Sequence, residues 1–359
     1  MRHTRGRVVE VDTLADFDRR LAAGVRALSG WHVQGLDLRD RSGALQRVDV
    51  GGALFLDCTL AAGDEVAVRA RGAVVYREAP GEPAATREPA LYTAARLYDT
   101  PEYADSLDAR IYAWSQRPRD REASLAQALH DHAVDEALGA WVAGRDLVGV
   151  MGGHALERGA PTYAHAARLG HTLGGSYVVA TGGGPGAMEA ANLGAALSGL
   201  PSSELDRALD VLARVPSYRP DIGAWAAAGF EVLEQVPSPA DSLGIPTWHY
   251  GHEPTNPFAT AIAKYFRNAT REAILLEICR AGIIFLPGAG GTVQEIFQDA
   301  CENYYADESS LAPMVLVGRE HWTEKLPAWP LLSALARGRP MEGRIHLADS
   351  LEEAAALVG

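Results

Sequence analysis

Three times along this chain a short, branched apolar run ends in glycines and passes into a helical pattern. The first is Leu147-Val148-Gly149-Val150-Met151, followed by Gly152 and Gly153 and an amphipathic stretch from Pro161 to Leu173. The second is Tyr177-Val178-Val179-Ala180, followed by Thr181-Gly182-Gly183-Gly184-Pro185-Gly186-Ala187-Met188-Glu189 and a helix expected to reach about Ser198. The third is Ile283-Ile284-Phe285-Leu286, followed by Pro287-Gly288-Ala289-Gly290-Gly291-Thr292-Val293-Gln294-Glu295 and a helix over Val293 to Tyr304. Continuous apolar runs of this length suit strands buried on both faces. Strand, glycine turn and helix in repeated succession imply an α/β fold with a doubly wound parallel sheet, Rossmann-like in architecture.

The third turn carries the chemistry. Glycines free the backbone to turn sharply and aim amide N–H groups at one point, and a helix N-terminus adds unpaired donors and a favourable dipole. Gly288, Gly290, Gly291 and Thr292 are therefore candidate phosphate-binding residues. No Lys follows the glycines, so this is not a Walker A loop. A carboxylate, Glu295, follows instead. It has two readings of equal weight. One is catalytic, beside a bound phosphate. The other is local: Thr292-x-x-Glu295 is a capping box in which Thr292 caps the helix and Glu295 reaches back.

Pro287-Gly288-Ala289-Gly290-Gly291-Thr292-Val293-Gln294-Glu295 resembles the PGGxGTxxE signature of the LOG (LONELY GUY) family, with Ala289 in place of its second glycine. A methyl there is tolerable at negative φ. The turns after the first two strands resemble that family as well: Gly182, Gly183, Gly184, Gly186 and Met188 match its triple glycine followed by Gly and Met. The resemblance covers roughly Asp146 to the C-terminus. It implies a Rossmann-like phosphoribohydrolase that cuts a nucleoside 5′-monophosphate into free base and ribose 5-phosphate, without metal or redox cofactor. Glu295 would stabilise the cationic ribose and take a proton from water, and Arg271 would clamp the phosphate or ribose, or orient Glu295. Gly152, Gly153, Gly182, Gly183, Gly184, Met188 and Asn268 would complete the nucleotide site. The family pairs its Arg with a Lys; here Glu272 follows Arg271. The commoner fate of a helical Arg is a surface ion pair.

Two other functions stay open. A carrier or sensor for a phosphorylated cofactor would use the same fold, since fold does not fix function. Gly182-x-Gly184-x-x-Ala187, with Glu204 downstream, fits a dinucleotide fingerprint and a nicotinamide oxidoreductase. A lone match of this kind is weak, and Glu204 sits in a polar helix start, not at a strand end.

Around this core the sequence predicts further parts. Residues 1–77 alternate short apolar pairs (Val8-Val9, Leu36/Leu38, Val48/Val50, Leu54/Leu56, Val66/Val68, Val74-Val75) and read as a small β-rich module, distantly like a pentapeptide coil. Residues 78–145 read as a Pro- and Ala-rich linker at 78–90 and a helical connector, with Asp108 to Ser115 and Leu125 to Val142 as helices. Residues 146–359 form the nucleotide-binding domain. Phe230 to Leu233 suggests a strand. Pro246 to Pro257, dense in aromatics and His, suits stacking on a nucleobase. Neither His130-Asp131-His132 nor His249, His252 and Glu253 has convincing metal-ligand spacing.

Phe258 to Cys279 reads as one long helix, apolar on more than one face. A second apolar stripe needs a second cover. That cover is either residues 91–143 or a partner in a homodimer or higher even-numbered oligomer, the arrangement the family resemblance implies. A formal charge of −13 argues against nucleic acid or anionic membrane as the main partner. Three cysteines without metal spacing, and no apolar leader, fit reduced thiols and a cytoplasmic protein.

Overall fold

The computed structural model describes residues 8–76, 83, 90–118, 121–249 and 253–359. Most of the expected linker at 78–90 lies outside these residues, as do Tyr250, Gly251 and His252. The chain divides into two compact units, Met1–Glu82 with Pro118–Gln127, and Pro83–Arg117 with Ala128–Gly359.

The first unit alternates strands and helices: β1 (Val9–Val11), α1 (Leu14–Ala22), β2 (Trp31–Gln34), α2 (Ser42–Arg47), β3 (Leu54–Leu56), α3 (Asp64–Ala70) and β4 (Val74–Tyr76). The strands pair in parallel in chain order. Their register stacks Val11, Val33, Phe55 and Val75 in one buried row, one residue per repeat of roughly 20, a solenoid-like period. The expectation of strands alone needs correcting. Val66 and Val68 lie in α3, where Val68 is buried and Val66 exposed. Leu36/Leu38 and Val48/Val50 sit at corners of the coil, outside its strands, yet join the same core. Apolar pairs separated by polar residues look alike whether they line strands or turn corners, so alternation did not separate the two.

In the second unit the connector supplies α4 (Ala94–Leu97), α5 (Leu107–Ser115) and the later turns of α6 (Arg121–Val142). There follow β5 (Leu147–Met151), α7 (Pro161–Leu173), β6 (Val178–Thr181), α8 (Ala187–Ala196), α9 (Ser202–Leu212), α10 (Ile222–Leu233), β7 (Ser242–Gly244) and β8 (Ala261–Ile262). The chain ends with α11 (Asn268–Glu277), β9 (Ile283–Phe285), α12 (Gly290–Tyr305), β10 (Met314–Val317), α13 (Ala328–Ala336), β11 (Ile345–Ala348) and α14 (Leu351–Ala356). The strand order is β11-β10-β9-β5-β6-β7-β8, all parallel. Alternate strand residues feed two cores. Val148, Val150, Ile284, Val315 and Val317 pack with α7, α8, α9 and α14, whereas Leu147, Met151, Ile283, Phe285, Met314 and Leu316 pack with α6, α11, α12 and α13. This is the doubly wound α/β fold. Strand order reverses between β5 and β9, and a crevice opens there beyond the strands' C-terminal ends, where ligands bind in such sheets.

Two expectations about elements fail. Phe230 to Leu233 is the end of helix α10, and the strand of that region is the shorter β7. Phe258 to Cys279 is not one helix: β8 and its loops occupy its first half and α11 begins at Asn268. The Asn256 side chain accepts from the N–H groups of Phe258 and Ala259 at 3.1 and 3.3 Å, and Ile262 exchanges backbone hydrogen bonds with Tyr92 at 2.8 and 2.9 Å. Both Asp131 oxygens accept from the N–H groups of Phe266 and Arg267 at 2.9 Å, pinning the chain just before α11. Apolar residues on every side thus mark an edge strand and buried loops rather than a two-striped helix. Their cover is internal: Trp114 and His130 pack on Phe266 at centroid distances of 5.6 and 4.8 Å, and Tyr265 donates to Asp135. The second stripe therefore no longer argues for a partner subunit. Among the described residues no helix is long and apolar enough to cross a membrane.

Candidate functional site

The crevice beyond β5 and β9 holds a cavity of about 920 Å³. Its floor is built by the glycine turns. Gly152 and Gly153 follow β5, and a Cβ on Gly152 would stand 2.8 Å from that of Ala187, so only glycine lets α8 approach here. Leu286 to Thr292 follow β9 and run into α12, a helix of 16 residues. Gly290, Gly291 and Thr292 are its first three residues, whose N–H groups have no acceptor within the helix. A Cβ on Gly290 or Gly291 would meet nothing within 4 Å, so this turn faces open space. Ala289 is the N-cap with φ −125°, a value any residue with a side chain adopts. The imidazole Nε2 of His321 lies 3.0 Å from the carbonyl of Gly288 and anchors the turn from a π-helical segment, His321–Lys325.

The helix starts earlier than the capping-box reading requires. Thr292 is the third residue inside α12, Ala289 is the cap, and no side chain caps this end. Glu295 is thus free of the capping role. It lines the cavity, its side chain 12% exposed, with Oε1 3.6 Å from Nη1 of Arg271. Burial pushes the Glu295 carboxyl up to about 7; Arg271 opposes the shift and Glu272 adds to it.

Arg271 is buried rather than a surface ion pair. Its Nε donates to the Ile245 carbonyl at 2.7 Å and Nη2 to the Gly182 carbonyl at 3.4 Å. A Cβ on Gly182 would stand 2.1 Å from that Nη2. The triple glycine therefore makes room for a guanidinium. Asn256 takes the rest of the turn, its N–H donating to the Gly183 carbonyl at 2.9 Å and its Nδ2 to the Gly184 carbonyl at 3.2 Å. This also answers the dinucleotide fingerprint: the chain's own side chains fill the turn, and Glu204 pairs with Arg207 on α9 at 2.6 Å.

Of the residues singled out from sequence, Gly152, Gly153, Met188, Arg271, Gly288, Gly290, Gly291, Thr292 and Glu295 come together around the cavity. Gly182, Gly183 and Gly184 are buried beneath it, and Asn268 stands behind, donating to Glu272 at 2.8 Å. Trp248, expected to stack on a base, is buried and donates to Asp108 at 2.8 Å, beside the buried Lys264–Asp108 ion pair. Of the loop Pro246 to Pro257, expected beside a base, Glu253 does reach the rim; sequence reasoning missed the rest of it, His154, Thr162 and His165 near β5 and Asp349 to Glu352 before and within α14. Only Ser350 and Glu353, a capping-box pair, carried a local signal, and it marked a helix start rather than a rim. A second cavity of about 250 Å³ shares His154, Ala155 and Leu156 with the first, and is lined also by Glu189, whose side chain is paired with the buried Arg158. Among the described residues no group of three or more His, Cys, Asp or Glu side chains is placed to hold a metal.

No family model matches the chain, and no curated protein does. Solved structures similar to it include the molybdenum cofactor carrier protein from Chlamydomonas reinhardtii, 17% identical, covering 59% of this chain and 94% of that one with a TM-score of 0.36. Another is the molybdenum cofactor binding protein from Rippkaea orientalis, 18% identical, covering 60% of this chain and 96% of that one with a TM-score of 0.37. At scores this low the fold rests on the strand pairing described above and not on these likenesses.

Proposed function

We propose that the protein hydrolyses the N-glycosidic bond of a nucleoside 5′-monophosphate, as the LOG-like signature implies. One observation carries the reading: a largely buried carboxylate, Glu295, stands beside a guanidinium at 3.6 Å in the wall of a cavity whose floor is an amide-rich helix N-terminus. The amides of Gly288, Gly290, Gly291 and Thr292 take the phosphate, where charge-assisted hydrogen bonds to oxyanions are strong. Glu295 then stands near the ribose. As the C1′–N bond breaks, its electron pair leaves with the base and positive charge builds on the sugar. A carboxylate stabilises that charge and accepts the proton of the attacking water. A carboxyl that titrates near neutrality, as Glu295 does at about 7, is matched to this work. Arg271, locked to Ile245 and Gly182, holds Glu295 in place.

Glu295→Gln keeps the side chain's shape and removes its charge. Base release from a panel of nucleoside monophosphates, followed by chromatography, should fall by roughly 100-fold or more, while calorimetric binding persists. Full activity in the variant sinks the reading. Nucleosides lacking the phosphate should bind at least about tenfold more weakly, since each charge-assisted hydrogen bond contributes on the order of 1.5–3 kcal/mol. Equal affinities remove the phosphate cradle.

The carrier of a larger phosphorylated cofactor is the second reading. The cavity's volume favours it, for about 920 Å³ lies near the upper end for ligand pockets. It requires binding of an intact ligand and no base release from any monophosphate.

A further inference from the structure

Glu272 takes no part in the reading above, yet it is buried and lines the same cavity. Consecutive residues of α11, Arg271 and Glu272 both turn toward the crevice. The guanidinium is fixed through Nε and Nη2, and Nη1 faces two carboxylates, Glu295 at 3.6 Å and Glu272 at 4.0 Å. One cation thus serves two potential anions. The two carboxylates are held differently. Glu272 receives amide donors on both oxygens, Asn268 Nδ2 on Oε1 at 2.8 Å and Gln294 Nε2 on Oε2. Gln294 is the neighbour of Glu295 on α12, so this bond also ties the two helices at the level of the site. Amide donors favour the ionised form of a carboxylate, and a fixed anion nearby disfavours ionisation of the second.

We propose that Glu272 is a positioning residue for this reaction: held by Asn268 and Gln294, it shares Arg271 with Glu295 and so biases which protonation state of Glu295 meets the substrate. The inference rests on Glu295 being the catalytic carboxylate. A Lys in place of Glu272 would add to Arg271 and draw Glu295 toward permanent ionisation. Glu272 does the reverse. Its like charge keeps a proton within reach of Glu295 at neutral pH, so that the residue can give a proton to a departing base as well as take one from water. Burial acts in the same direction and Arg271 against it. The other titratable groups nearby are Asp299, one turn further along α12, and, around the cavity, His154, His165, Glu253, Asp349 and Glu352. None of these belongs to α11, so exchanging Glu272 leaves all of them in place.

The test reads Glu295 directly. Full-length protein is made with carboxyl-carbon-13 glutamate, and the Glu295 signal is identified by its loss in Glu295→Gln. Its titration midpoint is then followed by NMR in wild type, Glu272→Gln and Gln294→Met. The expected result is a midpoint near neutrality in wild type that falls by about one pH unit in Glu272→Gln. Gln294→Met, which withdraws a donor from Glu272 without removing a charge, lowers it by less. The acid limb of the kcat profile for base release moves to lower pH in step, with KM changed by under about threefold. A midpoint unmoved in Glu272→Gln overturns the proposal, and so does lost activity without a shift of the profile, the mark of a merely structural residue. If no monophosphate is hydrolysed by any form, the hydrolase reading fails on that result alone. The NMR midpoints still decide whether Glu272 governs Glu295.

Discussion

Glu295 costs the fold stability for the sake of the site. Its folded value of about 7 stands above the ordinary 4.5, so between these two the folded protein binds more protons than the unfolded chain. Stability contributed by the protonated form is complete below pH 4.5 and is lost as pH rises through 7. The shift corresponds to roughly 3 kcal/mol. Glu295→Gln is therefore expected to raise the melting temperature at pH 8 and to change it little at pH 4.5, measured by thermal denaturation across that range. A stabilisation independent of pH would place the cost elsewhere. Gly182 offers a complementary check. A methyl there displaces the Arg271 guanidinium, and misplacing a positioning group by about 1 Å costs roughly 100-fold in rate. Gly182→Ala should lose base release to that extent while keeping its circular dichroism. A wild-type rate would show that Arg271 does not need its seat. These residues also show what was legible. The signature turn and Glu295 were visible as a motif, but two readings of Glu295 were equal until the start of α12 was located. The triple glycine was read as a ligand contact, and its real occupant, a side chain 89 residues on, has no local trace.

At the scale of elements, the buried parallel strands read clearly because both faces are covered and their residues are mostly apolar. β5, β6 and β9 fall where the apolar runs stand. Short edge elements did not. β7 is Ser242-Leu243-Gly244, too brief and too mixed to signal, and β8 was absorbed into a helical pattern because its neighbours are apolar on every side. Only tertiary partners, Asn256 and Tyr92, decide that segment. The sequence from Trp322 to Ala336 reads as helical, but nothing in it shows that the π-helical turn at His321–Lys325 reaches the glycine turn after β9 through the Gly288 carbonyl. Removing one hydrogen bond of this kind changes a free energy by about 1 kcal/mol. His321→Leu should therefore weaken monophosphate binding about fivefold in calorimetry, with kcat nearly kept. An unchanged affinity would mean that the turn is rigid without its anchor.

For the whole molecule, the two units have separate hydrophobic cores. The core of the first draws its residues from Val9 to Val75, and the two cores of the second draw theirs from Leu91 to Val358. A unit with its own core is able in principle to fold alone. Every residue that lines the large cavity falls between Gly152 and Glu352, and Arg271, its carbonyl partners and His321 fall within the same span. Nothing in that geometry calls on the parallel coil of the first unit. A chain beginning at Pro83, which keeps only Pro118–Gln127 of the first unit, should then fold cooperatively and bind a nucleoside monophosphate within about threefold of the full-length affinity, as expected for parts that share no contact at the site. Base release should persist at a comparable rate. Calorimetry and chromatography on the truncated chain decide the matter. If it folds cooperatively by thermal denaturation yet loses binding, the coil takes part in the site, and the purpose of the N-terminal unit is to complete it. If it binds and turns over as the full chain does, the coil serves a role apart from this cavity.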